Sequence, residues 1–173
     1  VFGPGVHPDV SVPRTAYGYV FPVRGSGLAG AVVSDGVKRE RSVYLADLQD
    51  VLAGKPKWRR IFGEEAKVTA STIAGGWLYV KTAAEAPRYR VLRMPLATPD
   101  LAKAEVVVPA GDNVVVEIAA ARDAFYVTQR QGPGPELGAP VNGCNIVVGV
   151  DDVDGLMRRG VELGGTEALP AAD

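Results

Sequence analysis

Short apolar runs, several alternating with polar residues and closed by Gly, Pro or Asp, follow one another along most of this chain. They predict a succession of strands. Tyr17–Arg24 and Leu28–Ser34 form the first pair, joined by Gly25-Ser26-Gly27. Ser34-Asp35-Gly36 supplies the next turn, because Asp bonds its own backbone and Gly accepts positive φ. Ser42–Asp47 follows, then Leu48–Lys57 with a helical turn before Pro56. Trp58–Phe62, Val68–Ile73, Trp77–Thr82, Tyr89–Met94, Glu105–Val108, Val114–Ala120 and Ala124–Gln129 continue the series, and Arg122-Asp123 is the turn of the last hairpin. In Tyr89–Met94, Arg90 and Arg93 stand among apolar neighbours, which fits a strand with one wet side. Ahead of all of them, Val1–Pro13 is Gly/Pro-rich and reads as an irregular lead-in.

The series repeats. Lys67–Val80 lies over Val114–Val127 at an offset of about 47 residues, with Leu78-Tyr79-Val80 against Phe125-Tyr126-Val127. One step back, Val20–Val33 keeps the turn and the closing apolar run more loosely. Arg41–Leu45 then corresponds to Arg88–Leu92, and Trp58–Phe62 to Glu105–Pro109. Four short strands in about 47 residues are the signature of a β-propeller blade. The expectation is a mainly β chain in which residues 1–131 form a partial antiparallel propeller of about two to three blades.

Composition shifts after Gln131. Residues 132–140, GPGPELGAP, read as a Gly/Pro linker. Asn142-Gly143 is a tight-turn dipeptide, Asn145–Val150 a strand and Asp152–Leu163 a helix, so residues 141–173 read as a separate βα segment. Val153, Leu156, Met157 and Val161 would form the apolar stripe of that helix, and Gly164-Gly165 its terminator.

The 173 residues are 47% hydrophobic and 23% charged with a net charge of −1, which gives nucleic acid or an anionic membrane no electrostatic hold. No apolar run reaches the length of about 20 residues that a membrane helix needs. Cys144 is the only cysteine, so no internal disulfide can form, and a reducing, cytoplasmic location is expected. A chain that opens on Val1 and stops at Asp173 with no element visibly closed reads as a fragment or a trimmed product.

With the strands placed, residues of about 17–131 resemble the propeller domain of the prolyl oligopeptidase family. The carrying segments are Ser42–Phe62, Gly75–Asp100 and Ala104–Val127. In that family a strand ending in Thr is followed by a short Pro-bearing loop, a Tyr-Arg-Val strand and an acidic linker. This chain has Lys81-Thr82, Pro87, Tyr89-Arg90-Val91 and Pro99-Asp100. The resemblance implies one part of a seven-bladed propeller that gates an α/β-hydrolase domain and admits peptide-sized substrates. It implies no chemistry for these residues. There is no Gly-x-Ser-x-Gly nucleophile elbow, and His7, the sole histidine, lies in the lead-in. No catalytic, cofactor-binding or metal-ligating residue is assigned, and no cofactor is expected.

Residues of about 141–170 resemble the opening strand and helix of a module in the glyoxalase/bleomycin-resistance superfamily, through the order strand, Val150-Asp151-Asp152-Val153-Asp154, helix, Leu163-Gly164-Gly165. That family ligates metal with His and Glu on facing strands. Asn145 stands where a ligating His often starts the strand, so metal binding does not carry over. An alternative reading follows, in which the chain is part of a glyoxalase-like enzyme or binding protein, or a truncated or chimeric product.

The remaining candidates have plainer explanations. Asp151, Asp152 and Asp154 complement a helix dipole. Glu64-Glu65 is a solvated loop. Lys38–Arg41 and Lys57–Arg60 are interrupted or offset by acids. Trp58 and Trp77 are expected to pack between blades. Cys144 has no adjacent cation to lower its thiol pKa, and Gly3, Gly5, Gly25 and Gly27 lack the Lys-Ser/Thr of a phosphate loop. The expected partner is a peptide substrate in the context of a full-length peptidase, with no nucleic acid or membrane. Open blade edges leave self-association as a further expectation.

Overall fold

The computed structural model of the chain describes residues 2–7, 10, 12–121, 124–131, 144–149, 159 and 162. Among these residues, eleven strands make three antiparallel sheets. The first holds β1 (Ala16–Val23), β2 (Leu28–Asp35), β3 (Arg41–Asp47) and β4 (Arg59–Phe62) in that order. The second holds β5 (Val68–Ala74), β6 (Trp77–Thr82), β7 (Arg90–Pro95) and β8 (Glu105–Val108), again in sequence order. In the third, β10 (Phe125–Gln131) lies between β9 (Asn113–Ala120) and β11 (Cys144–Gly149). Each sheet is a meander, as the blades of a propeller are. Two four-stranded sheets and one three-stranded sheet thus form a partial propeller.

Local chemistry explains the turns. Gly75 and Gly76 both take positive φ, 53° and 79°, in the two-residue hairpin between β5 and β6, a geometry that side chains resist. After β3, the Asp47 carboxylate accepts from the Gln49 and Asp50 amides, 2.8 and 3.3 Å, and caps the short helix α1 (Leu48–Leu52). Ahead of β8, Asp100 accepts from the Ala102 amide at 3.0 Å and starts a 3-10 turn.

The period-2 alternation of the strands sends side chains to both faces of a sheet, and both faces of the second sheet meet a neighbour. In β6, Leu78 and Val80 join Val23, Val32, Val43 and Leu45 in a core between the first and second sheets. Tyr79 points the other way and joins Val91, Val115, Ile118, Phe125 and Val127 between the second and third. The Tyr79 and Phe125 rings stack there at 4.1 Å and 16°. The repeat is therefore visible in packing: Val80 faces the sheet before it, and so does Val127. Polar links reinforce the second junction. The Lys81 ammonium donates to the Val116 carbonyl at 2.6 Å, and the Val115 amide to the Arg88 carbonyl at 3.0 Å.

Two expectations need correction, and the lead-in gains a packing role. The pairing of Arg41–Leu45 with Arg88–Leu92 is out of register. Ala31 pairs with Tyr44, and Leu78 with Met94, so Tyr44 matches Met94 and the offset widens to about 50 residues in the third strand. The cause is a longer β6–β7 connection, which carries Pro87. The lead-in, though irregular, is packed: Phe2 and Val10 are buried against Ala16, Ala31, Val33 and Tyr44, on the face of the first sheet away from the second. Trp58 lies with them, its ring edge-on to Phe2 at 5.0 Å, and so does not pack between sheets. Trp77 does pack at the junction of the second and third sheets, with Arg93 stacked 4.3 Å over its ring.

The strand expected at Asn145–Val150 is β11. It pairs antiparallel with β10, Phe125 opposite Gly149 and Arg130 opposite Cys144. It thereby extends the third sheet from beyond the Gly/Pro stretch. The turn Arg122-Asp123, the stretch 132–140, the acids Asp151, Asp152 and Asp154, and the stripe Val153, Leu156, Met157 and Val161 lie outside the described residues.

Candidate functional site

The first and second sheets splay apart at the end that carries the β1–β2 and β5–β6 turns and leave a cleft of about 400 Å³. One wall is the end of β1: Phe21, Pro22, Val23 and Arg24. Val43, Leu45 and Leu78 contribute apolar surface from β3 and β6, and Ser71, Thr72 and Ile73 form the wall from β5. Phe21 reaches this position because it pairs with Gly30 on β2, whose missing side chain leaves room for the ring. A Cβ on Gly30 would lie 2.6 Å from the Phe21 ring. From the cleft the exposed face of β1 continues as Tyr19, whose ring lies 5.9 Å from that of Phe21, and Tyr17.

The chemistry of the cleft is simple. Arg24 is the only ionisable residue of the lining, and among the described residues it makes no ion pair. The hydroxyls of Ser71 and Thr72 are likewise without a hydrogen bond among the described residues. Strand β5 pairs with β6 on one side alone, so its other edge offers unpaired backbone amides and carbonyls along Ser71–Ile73. The arrangement suits holding an extended apolar group and an anion. It holds no acid–base pair and no nucleophile with a base.

The charged clusters singled out in the sequence form structural contacts. Lys38 bridges Asp35 at 2.7 Å and Glu64 at 2.9 Å and so ties the β2–β3 turn to the connection ahead of β5. That contact raises the Lys38 pKa and, with the Thr15 hydroxyl, lowers that of Asp35. Glu65 takes the Arg60 guanidinium at 2.6 Å and the Gly63 amide at 3.2 Å. Its pKa is lowered first by its own backbone amide and further by these contacts. Burial lowers the pKa of Lys81, whose ammonium lies 4.8 Å over the Tyr89 ring. His7 sits in the packed lead-in, its ring 5.7 Å from Phe2 and 6.3 Å from Trp58. Cys144 opens β11. Among the described residues no cluster of His, Cys, Asp or Glu could hold a metal ion, and no helix is long and apolar enough to cross a membrane.

The segment that carried the resemblance has structural roles as well. The Thr82 hydroxyl, fully buried, donates to the Ala66 carbonyl at 2.7 Å and accepts from the Ala84 amide at 2.9 Å. Tyr89 adopts φ 66° to turn the chain into β7. Sequence reasoning missed Phe21, Arg24 and the β5 wall. The one available signal was Gly30 in an otherwise apolar strand, since a strand glycine marks a close approach.

Comparison with known proteins agrees with this architecture. A prolyl endopeptidase from a study of inter-domain dynamics in two such enzymes superposes with a TM-score of 0.59 at 16% identity, over 79% of this chain and 18% of its own. Prolyl oligopeptidase B from Galerina marginata, as the apo protein, gives 0.52 at 18% identity over 68% and 17%. The same protein bound to a 35mer hydrolysis and macrocyclization substrate gives 0.51 at 16% identity over 68% and 17%. The chain thus spans less than a fifth of the length of these peptidases, and at such identities the likeness shows the fold. No curated protein matches the sequence. The glyoxalase-like resemblance of residues 141–170 has no counterpart among these matches. The family model of the prolyl oligopeptidase N-terminal beta-propeller domain matches residues 31–139, more than half of the sequence. It runs across the boundary expected near Gly132, and the chain belongs to the prolyl oligopeptidase family as a stretch of that propeller.

Proposed function

We propose that this chain is the gating and substrate-selecting segment of a serine peptidase that cleaves short proline-containing peptides. The chemistry is carried by a hydrolase domain outside these residues. The observation that supports it best is the family match over residues 31–139, which run through all three sheets. In this reading the sheets form part of a wall that excludes folded proteins by size and admits extended peptides past the first strands of successive blades. The lone Cys144 supports a reducing, cytoplasmic setting. The unpaired edges of β4 and β8 support association with another chain, a second copy included.

The test uses the complete peptidase. Met94→Ala loosens the contact between the first and second sheets without touching the catalytic domain. It is expected to raise kcat/KM for a long proline-containing polypeptide several-fold relative to a short one. An unchanged ratio, with the sheets demonstrably loosened, rejects gating by this segment.

A further inference from the structure

We propose that the cleft between the first and second sheets binds the C-terminal residue of a short peptide, its carboxylate on Arg24 and its apolar side chain among Val23, Leu45, Ile73 and Leu78. This rests on the peptide-admitting role proposed above and adds a specific site to it.

Size, charge and backbone all point to that occupant. Small-molecule sites span about 300–1,000 Å³, so a cleft of about 400 Å³ takes one or two residues and not a long segment. The lining is apolar apart from two hydroxyls and one guanidinium, with no carboxylate among the described residues to neutralise Arg24. A planar guanidinium is matched to a carboxylate, which it binds through two parallel N–H···O bonds. An internal stretch of peptide carries a carboxylate only where Asp or Glu occurs, whereas every free C-terminus carries one. The open edge of β5 along Ser71–Ile73 offers hydrogen bonds to the backbone of the penultimate residue, as one strand adds to another. Serine and threonine hydroxyls beside it give polar partners that tolerate a range of residues. Proline fits as the terminal residue because it is compact, apolar and already extended.

The experiment uses the 173-residue chain, methyl NMR and calorimetry, with three probes. These are N-acetyl-Ala-Pro as the free acid, the same dipeptide as its C-terminal amide, and hexanoate. The expected result is that the acid binds at least ten-fold more tightly than the amide and more tightly than hexanoate. Its shift changes should centre on the methyls of Val23, Leu45, Ile73 and Leu78. Arg24→Gln should abolish the difference between acid and amide with an unchanged melting midpoint, since Arg24 is exposed and unpaired among the described residues. Equal binding of acid and amide overturns the carboxylate assignment. Hexanoate as tight as the dipeptide overturns the peptide assignment and leaves a general site for apolar acids. Shift changes along other strands, with the cleft silent, overturn the site but leave the gating role in place. The polypeptide-length ratio tests that role separately.

Discussion

Replacing Met94 with alanine tests whether the sheets are held by their facing cores. Met94 is fully buried on the face of β7 that meets the first sheet, in the cluster that contains Val23, Leu45, Leu78 and Leu96. The substitution removes three heavy atoms beyond Cβ. At about 0.8 kcal/mol for each buried methylene-sized group, the transfer loss is about 2.4 kcal/mol. A residual cavity of about 50 Å³ adds about 1 kcal/mol, for a total of about 3–4 kcal/mol. For a chain of this length that corresponds to a fall in melting midpoint of about 10 °C. Urea unfolding measures it, with two tryptophans as separate reporters: Trp58 on the lead-in side of the first sheet and Trp77 at the junction of the second and third. Both signals should move to the same lower midpoint, because a break at one sheet contact removes support from both sides. Val106→Ala on β8, where Val106 is 57% exposed, should change stability by less than about 0.5 kcal/mol. A Met94→Ala loss below about 1 kcal/mol would refute the claim that this core holds the two sheets together.

Thr82→Val keeps the shape but removes the hydroxyl that serves the Ala66 carbonyl and the Ala84 amide, and a loss of about 1–3 kcal/mol in urea melts is expected. Gly30→Ala should cost about 1–3 kcal/mol by overpacking against Phe21, with the Phe21 ring resonances displaced; unchanged ring shifts would count against the close contact. Asp35 has a folded pKa below its unfolded value of about 3.9, so its contribution is present above that value and lost as pH falls through the folded one. The stability gap between wild type and Asp35→Asn should therefore be present at neutral pH and shrink on acidification below about pH 4. A gap that stays constant to low pH would dissociate the carboxylate from that stability. The isolated chain should not turn over a proline-containing chromogenic peptide, and turnover abolished by a serine-directed inhibitor would show a catalytic centre where none is read.

Strand positions were legible because sequence and packing share one periodicity. Tyr79 flanked by Leu78 and Val80 carries apolar groups to both faces, as a strand stacked between two sheets must, and turn pairs such as Gly75-Gly76 mark where it reverses. The third-strand register was not legible. The longer β6–β7 connection shifts it relative to the first sheet, and similarity of Val-rich runs does not reveal which residues pair. The packing of Trp58 was hidden for a related reason: its partner Phe2 lies in a segment without periodicity. The cleft was least legible, since Phe21, Arg24, Ser71 and Thr72 share no motif and meet only because two sheets splay.

The placement of the lead-in has a consequence for ring closure. Val33 occupies in β2 the place that Val80 and Val127 occupy in their sheets, yet its neighbours are Phe2 and Val10, with Phe2 also lying on Gly18 of β1. The lead-in is thus an internal occupant of the surface on which a preceding blade would dock. Any blade that completes a circle beside the first sheet has to displace Phe2 or close over it. Where closure displaces the lead-in, the two become linked equilibria: stronger anchoring of Phe2 then weakens the final seam, and truncation at Phe2 strengthens it while exposing apolar surface until the seam forms. A seam at that surface would carry Phe2 and Val10 on the face of the first sheet opposite the cleft.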